Sequence, residues 1–202
     1  ECGGRVYFAA DDGAHGSELW TSDGTANGTF MVKDIAPGSV GGIYYLDNWE
    51  LVHLGGTLFF RGGNSIDGLG LWKSDGTELG TVLVREIPFL VHGSPLALTP
   101  AATRLYFFGN DEDHGVEPWV SDGTPEGTYM IQDINPGPID SCPTMECFWQ
   151  TGTLGDTFLF SAEDPSTIRL WVSEGLPGDA FPINAIVPSG FSKVGNIAYF
   201  SA

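Results

Sequence analysis

Trp20-Thr21-Ser22-Asp23-Gly24-Thr25 returns as Trp72-Lys73-Ser74-Asp75-Gly76-Thr77 and again as Trp119-Val120-Ser121-Asp122-Gly123-Thr124. A worn fourth copy reads Trp171-Val172-Ser173-Glu174-Gly175-Leu176. The tryptophans stand 52, 47 and 52 residues apart (72−20, 119−72, 171−119). A period of about 50 residues built from short β-like runs means a repeat fold, and propeller blades fit it best.

Ahead of each tryptophan lies an aromatic run: Val6-Tyr7-Phe8, Leu58-Phe59-Phe60, Leu105-Tyr106-Phe107 and Phe158-Leu159-Phe160. Behind it, past the Asp-Gly-Thr turn, lie Phe30–Ile35, Val82–Ile87 and Tyr129–Ile134. Aromatic and β-branched runs between Gly/Asp/Asn clusters read as strand, hairpin, strand. A leading strand precedes the aromatic one, as where Trp49–Leu54 passes through Gly55-Gly56 into Thr57-Leu58-Phe59, a two-glycine hairpin. The expected architecture is therefore all-β, a β-propeller of four-stranded antiparallel blades forming one repeat domain over 1–202. Blades are expected at 48–87, 95–134 and 147–186, with partial blades at 5–35 and 190–202. The partial blades supply one aromatic strand too many for a four-bladed ring. Soluble proteins avoid open strand edges, so an excerpt of a longer or partner-closed array is expected.

The stretch Gly16–Thr25, with Gly28-Thr29 and Val32-Lys33-Asp34-Ile35-Ala36-Pro37-Gly38 behind it, resembles the ELWxxDGT repeat family of bacterial proteins. The first and third units match well; the second has Gly70 for Glu, and the fourth has Arg169 and Glu174-Gly175-Leu176. The resemblance implies large, multi-repeat, secreted or surface-associated proteins with propeller-like folding, and no particular chemistry.

Composition narrows the partners. With 26 acidic against 8 basic residues, the formal net charge is −18. Such a surface repels phosphate backbones and anionic lipid heads, which argues against nucleic-acid and membrane-surface binding. No apolar run approaches the ~18 residues of a membrane-spanning helix, so no direct membrane insertion is expected. Cys142 and Cys147 share one loop, where a local disulfide is the first expectation and points to an oxidising compartment, and half a zinc site is the alternative. Cys2 is left over. The expected location is extracellular, at the cell surface or periplasmic.

Counting from each tryptophan exposes an acidic pattern. Eight before it stand Asp12, Asn64, Asp111 and Glu163; two before it stand Glu18, Gly70, Glu117 and Arg169; three after it stand Asp23, Asp75, Asp122 and Glu174. The turn aspartate has a scaffold explanation, since its carboxylate can accept N–H groups across the turn while Gly takes the positive φ. The loops Asp11–Gly16 and Asn110–Gly115 pack oxygen donors around glycines as calcium loops do, without full EF-hand spacing. Calcium is expected there, held by Asp11, Asp12, Asp111 and Asp113 with Glu18 and Glu117 contributing. A polar, solvated loop is the plainer alternative.

Features found once carry separate weight, because scaffold needs recur and functions need not. Tyr44, Tyr45 and Trp49 in one segment, and Phe148 and Trp149 in another, are residue types that anchor partners or stack on sugars. No nucleophile elbow, HExxH or phosphate loop is present. The expected function is a non-enzymatic extracellular binding or scaffolding module that contacts protein, or glycan, with calcium stiffening its loops. The alternatives are a propeller enzyme, a polysaccharide hydrolase or lyase, and a structural subunit of a larger assembly.

Overall fold

The structure is a computed structural model and describes residues 3–43, 51–64, 68–87, 96–111, 113–142, 151–184, 189–194 and 197–201. The chain divides into two compact units, 1–93 and 94–202. In the first, β1 (Val6–Asp11), β2 (Ser17–Ser22) and β3 (Phe30–Lys33) make a three-stranded antiparallel sheet. Beside it in the same unit, β4 (Val52–Leu54), β5 (Thr57–Asn64), β6 (Gly68–Ser74) and β7 (Val82–Glu86) make a four-stranded one.

The second unit repeats the plan. Its first sheet is β8 (Leu96–Pro100), β9 (Leu105–Asn110), β10 (Val116–Ser121) and β11 (Tyr129–Met130). The next is β12 (Thr151–Leu154), β13 (Thr157–Glu163), β14 (Ile168–Ser173) and β15 (Phe181–Asn184). A pair, β16 (Ser189–Val194) and β17 (Ile197–Ser201), follows. Each four-stranded sheet is an antiparallel meander in sequence order, and no helix occurs among the described residues. Accordingly, no helix there is long and apolar enough to cross a membrane.

One register recurs. Phe8 faces Trp20, Phe60 faces Trp72, Phe107 faces Trp119 and Phe160 faces Trp171. Aromatic cross-strand pairs of this kind each contribute a few tenths to about 1 kcal/mol and fix which face of the sheet is buried. A bulge sits beside the tryptophan in three sheets, between Leu19 and Trp20, Leu71 and Trp72, and Leu170 and Trp171. In the first two the residue left over, Val32 or Val84, is buried, so the bulge turns an otherwise alternate side chain inward, whereas in the third it is Ile183, which is exposed. The hairpin at Gly55-Gly56 has φ of 59° and 86°, both positive as a type I′ turn requires.

The core of the first unit gathers Leu19, Val32, Ile35, Leu58, Phe60 and Trp72. In the second, Tyr106 lies flat on Phe158 at 4.6 Å between ring centroids, and Phe158 on Phe160 at 4.6 Å. These rings come from neighbouring sheets, so the joint between repeats is itself hydrophobic core. Backbone bonds cross the joints as well. Gly63 N–H donates to Gly42 O at 2.9 Å, and Glu163 N–H to Ser141 O at 2.7 Å.

Two strands are shorter than the apolar runs suggest. The run Phe30–Ile35 stops being a strand at Lys33, and Tyr129–Ile134 at Met130. The amides just beyond are engaged elsewhere, by a buried carboxylate.

Candidate functional site

Glu18 and Glu117 are fully buried, at 0% exposure. Ile35 N–H donates to Glu18 Oε2 and Ala36 N–H to Oε1, both at 3.0 Å. Ile134 N–H donates to Glu117 Oε2 at 3.0 Å and Asn135 N–H to Oε1 at 3.4 Å. One carboxylate thus satisfies two amides that have left the sheet, which ends the strand and fixes the turn after it. Burial raises the pKa of both acids, and that of Glu117 reaches about 8, against the lowering pull of the amide bonds and Ser141. Gly42 closes over Glu18: a Cβ there would stand 2.8 Å from Oε2.

Where the glutamate is replaced, the same task is met differently. At Gly70 a Cβ would lie 2.1 Å from Arg85 O, so the backbone occupies the space the side chain would need. Ile87 N–H then donates to Leu69 O at 2.9 Å, backbone to backbone. Arg169 instead pairs with Asp164 at 3.1 Å.

The Asp-Gly-Thr turn is a closed hydrogen-bond unit of eight residues. Asp23 Oδ1 accepts from Thr25 N–H at 2.9 Å and Thr25 Oγ1 at 2.7 Å. Thr25 Oγ1 accepts from Gly28 N–H at 3.0 Å, and Thr29 Oγ1 donates to Thr25 O at 2.7 Å. Asp75 with Thr77 and Asp122 with Thr124 repeat this arrangement. The threonine bonds hold all three aspartates below the ordinary carboxylate range. In the fourth copy Glu174 does not take this role. Asp179 does, accepting Ser173 Oγ at 2.5 Å and Glu174 N–H at 2.9 Å, while Glu174 Oε1 accepts Thr157 Oγ1. Asp179→Ala should therefore lower the unfolding free energy by about 1–2 kcal/mol, where Glu174→Ala lowers it by less than half that. Denaturant unfolding of the two variants checks the order.

In the loops before the tryptophan, Asp12 Oδ1 accepts Ala14 N–H and His15 N–H at 2.9 Å each, and Oδ2 meets His15 Nδ1 at 2.7 Å. These bonds pull Asp12 down to about 2 and raise His15. Asp111 does the same for Asp113 N–H, His114 N–H and His114 Nδ1, the last at 2.8 Å from Oδ2. Asp11 accepts Gly13 N–H at 2.7 Å, and Asp113 is exposed. The corresponding loop of the fourth repeat is organised by Asp164, which accepts Ser166 and Thr167 N–H, rather than by Glu163 one position earlier. Among the described residues no group of three or more His, Cys, Asp or Glu is arranged to hold a metal ion.

The structure therefore brings Asp12 to His15 and Asp111 to His114, and turns Glu18 and Glu117 onto backbone amides. Tyr44, Tyr45, Trp49, Phe148, Trp149 and Cys147 lie outside the described residues. Cys142 is buried, at 2% exposure, in the second unit's core. Sequence reasoning did not find a polar joint in the second unit. There Arg104 donates to Glu174 O at 3.0 Å and Gly175 O at 2.8 Å, Tyr129 Oη donates to Gly175 O at 2.8 Å, and Tyr106 Oη to Asp156 O. The available signal was the Arg-x-Tyr spacing shared by Arg5/Tyr7 and Arg104/Tyr106.

No protein-family profile matches the chain, and no curated protein sequence does. The fold is similar to part of the crystal structure of puromycin hydrolase, with TM-score 0.56 at 15% identity over 91% of this chain and 27% of that one. Against a serine-to-alanine mutant of puromycin hydrolase complexed with PGG the TM-score is 0.57 at 14% identity, over 98% of this chain and 31% of that one. An alpha-L-arabinofuranosidase from Clostridium thermocellum superposes more loosely, with TM-score 0.37 at 12% identity over 90% of this chain and 69% of that one. The chain spans less than a third of puromycin hydrolase, and the likeness is one of fold.

Proposed function

We propose that this chain is a stretch of β-propeller whose repeated motif builds scaffold, and that its recognition surface lies in the segments that differ between repeats. The supporting observation is that the motif carboxylates already accept bonds from N–H or hydroxyl groups of their own repeat, through both oxygens in Glu18 and Glu117 and through Oδ1 in the turn aspartates. A group that a turn needs for folding is poorly placed to lose those bonds to a substrate. The resemblance to the ELWxxDGT repeat proteins supports an extracellular setting, and the aromatic residues of the unrepeated segments support protein or glycan as the partner. Calcium belongs to the same proposal, with Asp11 and Asp113 as the loop carboxylates least engaged by backbone amides.

A second reading has a specific observation behind it. Puromycin hydrolase, whose fold this chain resembles, is an enzyme, so the propeller would form part of a hydrolase. The comparisons lean toward this reading, while the motif chemistry leans toward scaffold.

Incubating the chain with aminoacyl and peptidyl p-nitroanilides and with aryl arabinosides and galactosides separates the two. The scaffold reading expects no chromophore release above buffer. Turnover that disappears in Glu117→Gln or Asp111→Asn at an unchanged unfolding midpoint would establish the enzyme reading instead.

A further inference from the structure

Asn27-Gly28 is the one Asn-Gly pair in the sequence. With no side chain on the following residue, the peptide nitrogen of such a pair swings easily onto the asparagine side chain. The chemistry that follows needs only water. Gly28 N bonds to Asn27 Cγ, the Cγ–Nδ2 bond breaks, and ammonia leaves with the proton of the Gly28 amide. Water then opens the cyclic imide, on one side to aspartate and on the other to isoaspartate, whose backbone runs through Cβ.

The fold holds this pair at the end of the first Asp-Gly-Thr turn. Gly28 N–H donates to Thr25 Oγ1 at 3.0 Å, and Thr25 Oγ1 donates to Asp23 Oδ1 at 2.7 Å. Thr29 N–H donates to Ala26 O at 3.4 Å, closing a β-turn with Asn27 and Gly28 at its centre. Arg5 Nη2 donates to Gly28 O. Ring closure must rotate the Asn27–Gly28 peptide about the Asn27 Cα–C bond. That rotation pulls Gly28 N off Thr25 Oγ1 and Gly28 O off Arg5. The reaction therefore waits for the turn to open.

The turn does not require the amide. The same position holds Leu79, Glu126 and Gly178 in the other repeats. Leu79 is 92% exposed, and Asn27 and Glu126 are exposed as well. A side chain here faces water in the second repeat as in the first, and the bonds of the turn come from other residues.

We infer that Asn27 is a self-modification site gated by its own turn, converted by water to aspartate or isoaspartate each time the turn stays open long enough. Isoaspartate adds a carbon to the backbone inside the β-turn, so the Gly28 and Thr29 amides cannot both regain their acceptors. Conversion thus makes opening of the first turn one-way. Either reading of the chain's function leaves this chemistry unchanged.

Peptide mapping by mass spectrometry, on chain held at mildly alkaline pH, reads conversion as the mass gain of an amide becoming an acid. Isomerisation at the Asp-Gly pairs leaves mass unchanged and does not interfere. The folded chain should convert Asn27 at least ~tenfold more slowly than the same chain unfolded in guanidinium chloride at that pH. Thr25→Ala removes the acceptor of Gly28 N–H and a donor to Asp23, and should speed conversion roughly tenfold. Glu126→Asn places an Asn-Gly pair in the third turn, where Gly127 N–H donates to Thr124 Oγ1 at 2.9 Å. The transplanted site should be as slow as Asn27, and should stay slow when Thr25→Ala is added, which separates local opening from general unfolding. Asn27→Asp carries the new charge on an ordinary backbone and should keep slow amide exchange at Gly28, while the isoaspartate fraction loses it. Conversion of the folded chain at the unfolded rate overturns the inference. So does a transplanted site that converts at the unfolded rate, a Thr25→Ala chain that converts no faster than wild type, or an isoaspartate fraction that keeps Gly28 protected.

Discussion

Glu117→Ala should lower the unfolding free energy by about 3 kcal/mol or more, among the largest losses of any single substitution in the second unit. The side chain is fully buried and its oxygens receive the N–H groups of Ile134 and Asn135. Alanine leaves those two donors in a dry site, each costing about 1–3 kcal/mol, while removal of a desolvated acid gives part of that back. The same residue makes stability depend on pH. Its ordinary value is 4.5 and burial pushes it to about 8 in the fold, so between those values the folded chain holds a proton that the unfolded chain has released. Stability is therefore fully present below pH 4.5 and falls as pH rises through 8. The raised histidines, His15 and His114, held by Asp12 and Asp111, act in the same direction and lose their contribution as pH rises. The lowered aspartates act oppositely and only in acid. Glu117→Gln should remove the acid's share and leave the shallower histidine slope, which thermal unfolding from pH 4.5 to 8.5 will show.

Gly127→Ala comes next, at about 2–4 kcal/mol. A Cβ at Gly127 would lie 2.1 Å from Asp122 Oδ1, inside contact distance, so the carboxylate must leave the turn and give up Thr124 N–H and Oγ1. The mechanism makes a further claim. In an Asp122→Ala background the methyl group has somewhere to go, so the second substitution should cost well under half as much. Gly28 and Gly80 meet Asp23 and Asp75 at 1.9 and 2.0 Å and should behave alike. Gly24→Ala meets no atom and suffers only from its φ of 88°, so it should cost about 1 kcal/mol. Denaturant unfolding of the single and double variants separates these cases. Equal losses for Gly127→Ala in both backgrounds would remove the carboxylate clash as the cause.

The all-β architecture was legible because it rests on local signals with fixed periods. Phe8, Phe60, Phe107 and Phe160 lie at the same distance from the hairpin, and each faces its tryptophan. The two-glycine turn at Gly55-Gly56 needs no tertiary information to read. The work of Glu18 was not legible. The amides it serves lie 17 and 18 residues later, across a strand pair, and no local spacing encodes a carboxylate that turns inward to end a strand. Read as a surface oxygen donor, it joins Asp11 and Asp12 as a calcium candidate; placed at 0% exposure, it belongs to the fold of its own repeat. A hint existed in Gly70, where loss of the acid without loss of the repeat marks a role that backbone can take over. The fourth turn failed by position. Asp179 stands five residues beyond Glu174, and a count from the tryptophan finds the wrong acid. The joint of Arg104, Tyr106 and Tyr129 was hidden because each partner is a carbonyl of another repeat, and carbonyls leave no trace in sequence.

Amide hydrogen exchange at Ile134 and Asn135 tests most directly the claim that the repeat's acids hold backbone. In the wild-type chain both amides should exchange as slowly as those of the β9–β10 ladder, although they lie outside any strand. In Glu117→Ala they should exchange at least a hundredfold faster relative to that ladder, a local loss of about 3 kcal/mol. Rapid exchange in the wild type, or protection that survives the loss of Glu117, would contradict the account and return this carboxylate to the residues available for ion or ligand chemistry.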